Sequence, residues 1–317
     1  MAEAGGPAAP VLGTTGTGGP PPHRARRRLL LRRFLRNRGA VAGAAVLAAL
    51  VVVAAVGPLL WPWDVGDVDR RAFLQPPSGT HPLGTTQAGR DVLALTLQGL
   101  GRSLAIGFAV AFLSTAVAAL VGAFAAYCGG RFERAALWLI DLLLVIPAFL
   151  LVALLTGGGV EGGSSTWLLV ALLALFGWML PARVVRGLAR TLREREFVLA
   201  ARFMGLSGPR IVLRHVLPNV ASLLIIDVTL NVSGAILAET SLAYFGFGVQ
   251  PPDTSLGTLL GDGARQIHSF PWLFAGPAAT IVVLILSVNA IGDGLRDALD
   301  PASAASGAAR LPERAAR

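Results

Sequence analysis

Six long apolar stretches divide the chain, separated by segments rich in polar residues, glycine and proline. An α-helix rises about 1.5 Å per residue, so roughly 20 apolar residues cross the ~30 Å hydrocarbon core of a bilayer. Each stretch is long enough to do so. The pattern therefore predicts an all-α polytopic membrane protein with six transmembrane helices, which cover residues 40–60, 103–127, 135–155, 167–185, 221–242 and 272–291.

The first stretch is expected to remain in the protein as a membrane anchor. Its apolar run is about 20 residues, whereas about 7–15 is typical of a cleaved signal peptide. The preceding residues 1–22, rich in glycine, proline, alanine and threonine, are predicted to form a disordered tail. Residues 23–39 are basic with interleaved leucine and phenylalanine, which indicates either an interfacial elbow helix on anionic lipid or a plain positively charged anchor.

The composition and the charge distribution give the expected membrane orientation. Charged residues make up only 14% of the chain, against about a quarter in soluble domains. With the N-terminus in the cytoplasm, 22 of the 27 arginines fall on the inner side, as the positive-inside rule requires. We therefore expect a multi-pass protein of a bacterial cytoplasmic membrane with both termini cytoplasmic and a polar C-terminal tail over residues 294–317.

Several kinds of chemistry are excluded by missing residue types. The chain has no lysine, so it contains neither a Walker A phosphate loop nor a lysine nucleophile or base. A single cysteine, Cys128, excludes an intrachain disulfide and a thiol-ligated zinc site, and the four histidines lack metal-ligand spacing. We therefore expect no catalytic residue, metal site or cofactor in this chain, and no nucleic-acid partner.

The longest predicted inside loop, residues 186–219, carries helix-capping signals. Thr191 and Glu194 have the spacing of a capping box, so a helix is expected to begin there. Gly205 can end that helix in the left-handed conformation, and Ser207 can cap a second one. The pattern predicts a short helix–turn–helix outside the lipid whose apolar face either docks on another protein or lies on its own bundle or the membrane surface.

The stretch that begins EFVLAARFMG at Glu196 and runs to Asn219 resembles the EAA loop of ABC importer permeases. It is most similar to the C-type permease subunit of the dipeptide/oligopeptide/nickel group. Three further segments resemble other signatures of that family, in the same order along the chain: residues 81–93, 239–252 and 292–301. The resemblance implies a type I ABC importer permease-like bundle over residues 40–293 with a cytoplasmic coupling helix.

The same resemblance implies a function and a set of partners. The chain would be a transport subunit forming half of a path for di- or oligopeptides, with nickel and glutathione as alternative cargoes. Its partners would be a second homologous permease subunit, two ABC ATPase subunits that hold ATP and Mg²⁺, an extracytoplasmic substrate-binding protein and the surrounding lipid. By that match the ATPase-coupling positions are Glu196, Ala200, Ala201, Arg202, Gly205, Ser207 and Arg210.

Three acidic residues within or near the apolar spans are candidates for the translocation path: Asp141, Asp227 and Glu239. A charge at the bilayer centre costs about 2.5–3.5 kcal/mol on insertion scales, so each needs a lumen, a partner or a proton. For Asp141 the simpler interpretation is an ion pair with an inside arginine such as Arg183. Glu239 indicates either a gate or a polar helix end. Asp227, which is outside the family pattern, is the best lumen candidate and could meet the amino group of a peptide.

Other classes of membrane protein make different demands on a sequence. A secondary transporter is expected to show inverted repeats or matched broken helices, and neither is evident. A membrane enzyme needs convergent polar groups, whereas the acids and histidines here are dispersed. A structural membrane protein would not need a capped docking helix. Small residues four apart, Ala118, Gly122 and Ala126, predict close helix packing.

Overall fold

The computed structural model describes residues 31–156 and 165–299, and no β-strand occurs within them. The named helices are α1 Arg38–Leu60, α2 Val92–Cys128, α3 Gly130–Val145, α4 Ala148–Thr156, α5 Ser165–Gly177, α6 Met179–Arg193, α7 Glu196–Phe203, α8 Gly208–Ile211, α9 Leu217–Tyr244, α10 Leu256–Ala264 and α11 Trp272–Leu299. A π-helical turn, Val212–Val216, joins α8 to α9. The all-α prediction is confirmed. The predicted tail over residues 1–22 and most of the C-terminal tail lie outside the described residues.

The membrane spans agree in number with the prediction. Four helices are long and apolar enough to cross a membrane: α1, α2, the continuous helix Gly208–Tyr244 that includes α8 and α9, and α11. Two bent helix pairs, α3 with α4 at 72° and α5 with α6 at 43°, bring the total to six if each pair forms one span. Pro147 disfavours the helical conformation at Ile146, whose backbone is extended, and this accounts for the first bend; Pro181 lacks a backbone N–H next to the second.

Several spans are longer than their apolar stretches. Helix α2 begins at Val92, eleven residues before the predicted start, and Asp91 caps it by accepting a hydrogen bond from the Ala94 amide at 2.7 Å. Much of the predicted inside loop is helical as well, because α6 extends to Arg193 and the fifth span begins at Gly208. Both ends of the bundle are therefore built from helices that continue beyond their hydrophobic segments.

Helix α2 is the central element, and α1, α5, α6, α9 and α10 all pack against it. The close packing predicted from the small-residue stripe is confirmed at the contact between α2 and α6. A Cβ atom at Gly122 would lie 2.5 Å from the Ala182 carbonyl oxygen and 2.9 Å from the Val185 Cβ. Ala118 and Ala126 on the same face are buried. The stripe thus lets α2 and α6 approach closely.

The segment before α2 is held by one buried carboxylate. Following the predicted orientation, we call the end of the bundle that carries residues 61–91 the outer face. The opposite end, which carries α7, is the inner face. Asp91 accepts a hydrogen bond from the Trp61 indole at 3.1 Å, and its second oxygen lies 2.7 Å from His81 Nδ1. The His81 ring is buried, and its centroid lies 4.7 Å from that of Trp63 with the two rings tilted by 41°. These contacts fix the end of α1 to the start of α2.

Candidate functional site

The predicted coupling helix exists as α7, but it begins later than its sequence indicates. Thr191 lies in the last turn of α6, where its hydroxyl donates to the Leu188 carbonyl at 2.8 Å. The expected capping box with Glu194 is therefore wrong. Helix α7 begins at Glu196 after Arg195, whose extended backbone separates it from α6. A threonine near a helix end can either cap the next helix or donate a hydrogen bond back to its own helix, and the spacing alone does not distinguish the two.

The end of α7 matches the prediction. Gly205 has φ +79°, and its amide donates to the Arg202 carbonyl at 3.0 Å. The Leu206 amide donates to the Ala201 carbonyl at 3.2 Å, which completes a Schellman motif. Nothing lies within 4 Å of a Cβ atom built at Gly205, so the backbone conformation alone accounts for glycine here.

A small apolar cluster holds α7 on the bundle. Val198, Ala201 and Ile211 are buried together, with Tyr127 and Leu206 packed around them. Ala201 was expected to dock on a partner, and that expectation requires a correction because its side chain is 0% exposed. A larger residue there would separate α7 from Ile211. Ala201 therefore holds α7 against the bundle, which fixes the position of the exposed residues on the same helix.

The remaining face of α7 is exposed and carries both large apolar and charged side chains. Phe203 is 90% and Met204 72% exposed, and Phe197 and Leu199 are each about 40% exposed. The predicted positions Glu196, Ala200, Arg202, Gly205, Ser207 and Arg210 are also exposed. Ser207 takes the N-cap position of α8, but its side chain makes no cap hydrogen bond. Phe203 and Met204, which the sequence interpretation did not select, are the largest apolar groups of this surface.

A cavity of about 490 Å³ separates α7 from the end of α6 and from the turn between α2 and α3. Arg190, Arg193 and Arg202 line it together with Glu133 and Glu194. Arg193 donates to the Ala126 carbonyl at 3.3 Å, and Glu133 is paired with Arg186. Helix α7 is thus open to solvent on one side and incompletely packed on the other.

Two of the three candidate acids are committed to contacts within the subunit. Asp141 forms an ion pair with Arg183, as the simpler interpretation predicted. Glu239 is 0% exposed and accepts a hydrogen bond from the Ser255 hydroxyl at 2.6 Å. None of the three candidate acids lines the inner cavity or the outer cavity described below. The Glu239 carboxylate instead connects α9 with the first turn of α10.

Asp227 belongs to a separate polar cluster between α2 and α9. Its Oδ2 accepts a hydrogen bond from the Thr115 hydroxyl at 2.5 Å and one from the Asn231 amide at 3.0 Å. Asn231 also lies 3.4 Å from the Thr115 hydroxyl. The structure therefore does not bring the three candidate acids together, and each has a different local role.

A second, larger cavity of about 1180 Å³ opens at the outer face. It lies between residues 64–66, residues 86–98 and the segment from the end of α9 to the start of α11. Asp64, Asp253 and Asp262 contribute acidic groups, and Arg90 and Arg265 contribute basic ones. This mixed polar lining, next to the rigid Asp91 contacts, makes the cavity suitable for a water-soluble ligand or partner.

Comparison with known proteins gives a consistent set of relatives. The family described as "Binding-protein-dependent transport system inner membrane component" matches residues 118–304, and "N-terminal TM domain of oligopeptide transport permease C" matches residues 26–77. The oligopeptide transport system permease protein OppC of Mycobacterium tuberculosis is 53% identical over 249 residues, which are 78% of this chain and 85% of the relative. The protein of the same name from Haemophilus influenzae is 37% identical over 248 residues, 78% of this chain and 79% of that protein.

Proposed function

Because this chain belongs to the family of binding-protein-dependent transport inner membrane components, we propose that it is one permease subunit of an ATP-driven oligopeptide importer. In this role it forms half of the translocation path for di- or oligopeptides. The names of the two OppC relatives support peptides as the cargo. The chain performs no catalysis itself, and ATP with Mg²⁺ is bound by separate ATPase subunits.

The exposed surface of α7 is the observation that carries this proposal. Phe203 and Met204 extend from an eight-residue helix that touches its own bundle through one small cluster. Apolar groups this exposed outside the predicted membrane spans favour a protein partner. The charged Glu196 and Arg202 on the same short helix give that partner polar contacts at the edge. An ATPase subunit is the partner that ATP-driven import requires at the inner face.

The other partners follow from the remaining surfaces. A second, homologous permease subunit completes the path along the membrane, and lipid covers the outward apolar faces. A substrate-binding protein delivers peptide at the outer face, where the cavity of about 1180 Å³ lies. Both termini are cytoplasmic, as the arginine distribution predicts. ATP binding would close the ATPase subunits and drive the two permease bundles between inward-facing and outward-facing arrangements.

The decisive experiment is co-purification of the tagged chain from its native membrane, followed by an ATPase assay. Wild type is expected to retain a Walker-motif ATPase. Glu196→Arg should lose it, because the reversal changes the charge of the docking surface. Glu194→Arg is the matched control, since Glu194 is also exposed but lies outside α7. It should retain the ATPase.

The result also has a clear contrary outcome. If wild type inserts into the membrane but no ATPase accompanies it, the importer proposal fails and a secondary transporter becomes the better hypothesis. The cargo is tested separately by uptake of labelled trialanine, Ni²⁺ and glutathione in cells with and without the chain. Loss of trialanine uptake alone supports peptide import, whereas loss of only Ni²⁺ or glutathione uptake would reassign the cargo.

A further inference from the structure

Asp227 is an acidic residue inside a membrane span without a counter-charge. Within the described residues no arginine or histidine forms an ion pair with it, whereas Asp141 has Arg183. It lies about 15 Å along α9 from Leu217 and about 25 Å from Tyr244, at 1.5 Å per residue. A carboxylate between these ends is at a membrane depth where an unpaired charge is strongly unfavourable.

Neighbouring side chains hold this carboxylate in one orientation. Thr115, which is buried on α2, and Asn231, one turn along α9, both donate to Oδ2. The other oxygen, Oδ1, accepts no hydrogen bond from the part of the chain that the structure describes. Asp227 as a whole is half-buried, and Oδ1 is not among the fully buried polar atoms that lack a partner. The carboxylate thus has one oxygen fixed and one available.

The other membrane acids do not share this combination. Asp141 is compensated by Arg183, and the free oxygen of Glu239 is enclosed, since a Cβ atom at Gly257 would lie 2.6 Å from it. Only Asp227, of these three, combines an open oxygen with fixed donors on its other side. An oriented, uncompensated carboxylate of this kind is suited to bind a cation that is not part of the chain.

We propose that Asp227 is a specificity-determining residue of the translocation path, where its Oδ1 accepts a charge-assisted hydrogen bond from the protonated amino group of a peptide. Thr115 and Asn231 are positioning residues, because they fix the carboxylate without contacting the peptide. This inference rests on the proposed import function and adds the chemical group that is recognised. An acetylated amino terminus carries no charge and is a poorer partner for Asp227.

The test measures peptide binding to the assembled permease–ATPase complex in nanodiscs without the binding protein. The probes are Ala-Ala-Lys labelled with fluorescein on the lysine side chain and the same peptide with an acetylated amino terminus. Wild type should bind the free-amino probe at least tenfold more tightly. Asp227→Asn keeps the size of the side chain and one oxygen that can accept from Thr115 and Asn231, but it removes the charge, and it should abolish this preference. Glu239→Gln, which neutralises an enclosed carboxylate, should preserve it.

Four results would overturn the inference. Wild type could bind the two probes equally or not at all, or Asp227→Asn could retain the tenfold preference. Alternatively, Asp227→Asn could release the second permease subunit during purification, which would assign Asp227 to a counter-charge on that subunit. Trialanine uptake by wild-type cells keeps the two proposals apart. If trialanine uptake is normal and the probe preference is absent, only the proposed role of Asp227 fails. If trialanine uptake is the same with and without the chain, the proposed peptide import fails.

Discussion

The outer and inner ends of this bundle are held by different kinds of contact. At the outer face, Asp91 connects Trp61, His81 and the first turn of α2 through buried polar contacts. Helix α10 is fixed there as well, because Ser255 caps it and donates to Glu239. At the inner face, α7 rests on one small apolar cluster and is flanked by a cavity of about 490 Å³.

This difference indicates how a transport subunit divides its structural roles. A helix of eight residues is too short to be stable alone, so α7 depends on what it touches. Its own bundle supplies part of that contact, and the exposed Phe203 and Met204 leave room for a partner to supply the rest. The outer face also borders a cavity, of about 1180 Å³, but its segments are fixed to each other by polar contacts within the chain. We expect substitutions at the outer face to change the stability of the subunit and substitutions on α7 to change coupling.

The largest effect on stability is expected from Asp91→Ala. This change removes the cap of α2 and leaves the half-buried Trp61 indole and the buried His81 ring without their acceptor. Loss of a cap costs about 1 kcal/mol and stranded buried donors about 1–3 kcal/mol, so the free energy of unfolding should fall by about 3 kcal/mol. Asp91→Asn keeps an acceptor oxygen and should lose less than half as much. Thermal unfolding of the purified complex compares them, and equal losses would contradict this role of the cap.

A smaller effect at the same face is expected from Gly257→Ala on α10. The added Cβ would lie 2.6 Å from Glu239 Oε2 and 2.9 Å from the Thr240 Cα. Overpacking of this kind costs about 1–3 kcal/mol. Gly234→Ala on α9 is the matched control, because nothing lies within 4 Å of its Cβ, and it should be neutral or stabilise by up to about 1 kcal/mol. Similar unfolding midpoints for the two variants would show that α10 is not tightly packed on α9.

Much of the fold follows from the sequence because lipid imposes a simple requirement of length and hydrophobicity. The first eleven residues of α2 were not predicted this way. Arg102 and Ser103 interrupt its apolar pattern, yet Arg102 pairs with Asp253 and Ser103 accepts a hydrogen bond from the Leu256 amide. Helix α10 was not predicted either. Its glycines lower helix propensity, but they are what allows it to approach α9 closely.

The site was predictable where one residue determines one conformation. Gly205 is such a residue, since its φ of +79° favours glycine. The exposed face of α7 was not predictable, because the apolar periodicity continues from Leu192 to Phe203 across a helix break that the pattern does not reveal. Leu192 belongs to α6, and the extended Arg195 changes the direction of the chain before α7 begins. Helical periodicity therefore located the helix but not its orientation.

At the inner face, Gly205→Val should affect coupling more than overall stability. A β-branched residue at this positive φ costs about 1–2 kcal/mol, and that strain falls on the Schellman motif that ends α7. Gly205→Asn is the matched control, because asparagine tolerates the left-handed conformation. We expect Gly205→Val to reduce ATP-driven trialanine uptake several-fold while Gly205→Asn stays near wild type. The unfolding midpoint should change less than in Asp91→Ala.

The smallest effect on the subunit itself is expected from Phe203→Ser. The ring is 90% exposed, so its removal should change the free energy of unfolding by no more than about 0.5 kcal/mol. If this ring enters a pocket of the ATPase, its loss should weaken docking about tenfold, or roughly 1.4 kcal/mol. Phe132→Ser on α3 is the matched control, since Phe132 is also exposed but lies outside α7. Titration of the ATPase onto the permease pair in nanodiscs separates the two variants. Equal affinities would remove Phe203 from the docking surface and return the coupling role to the charged positions Glu196 and Arg202.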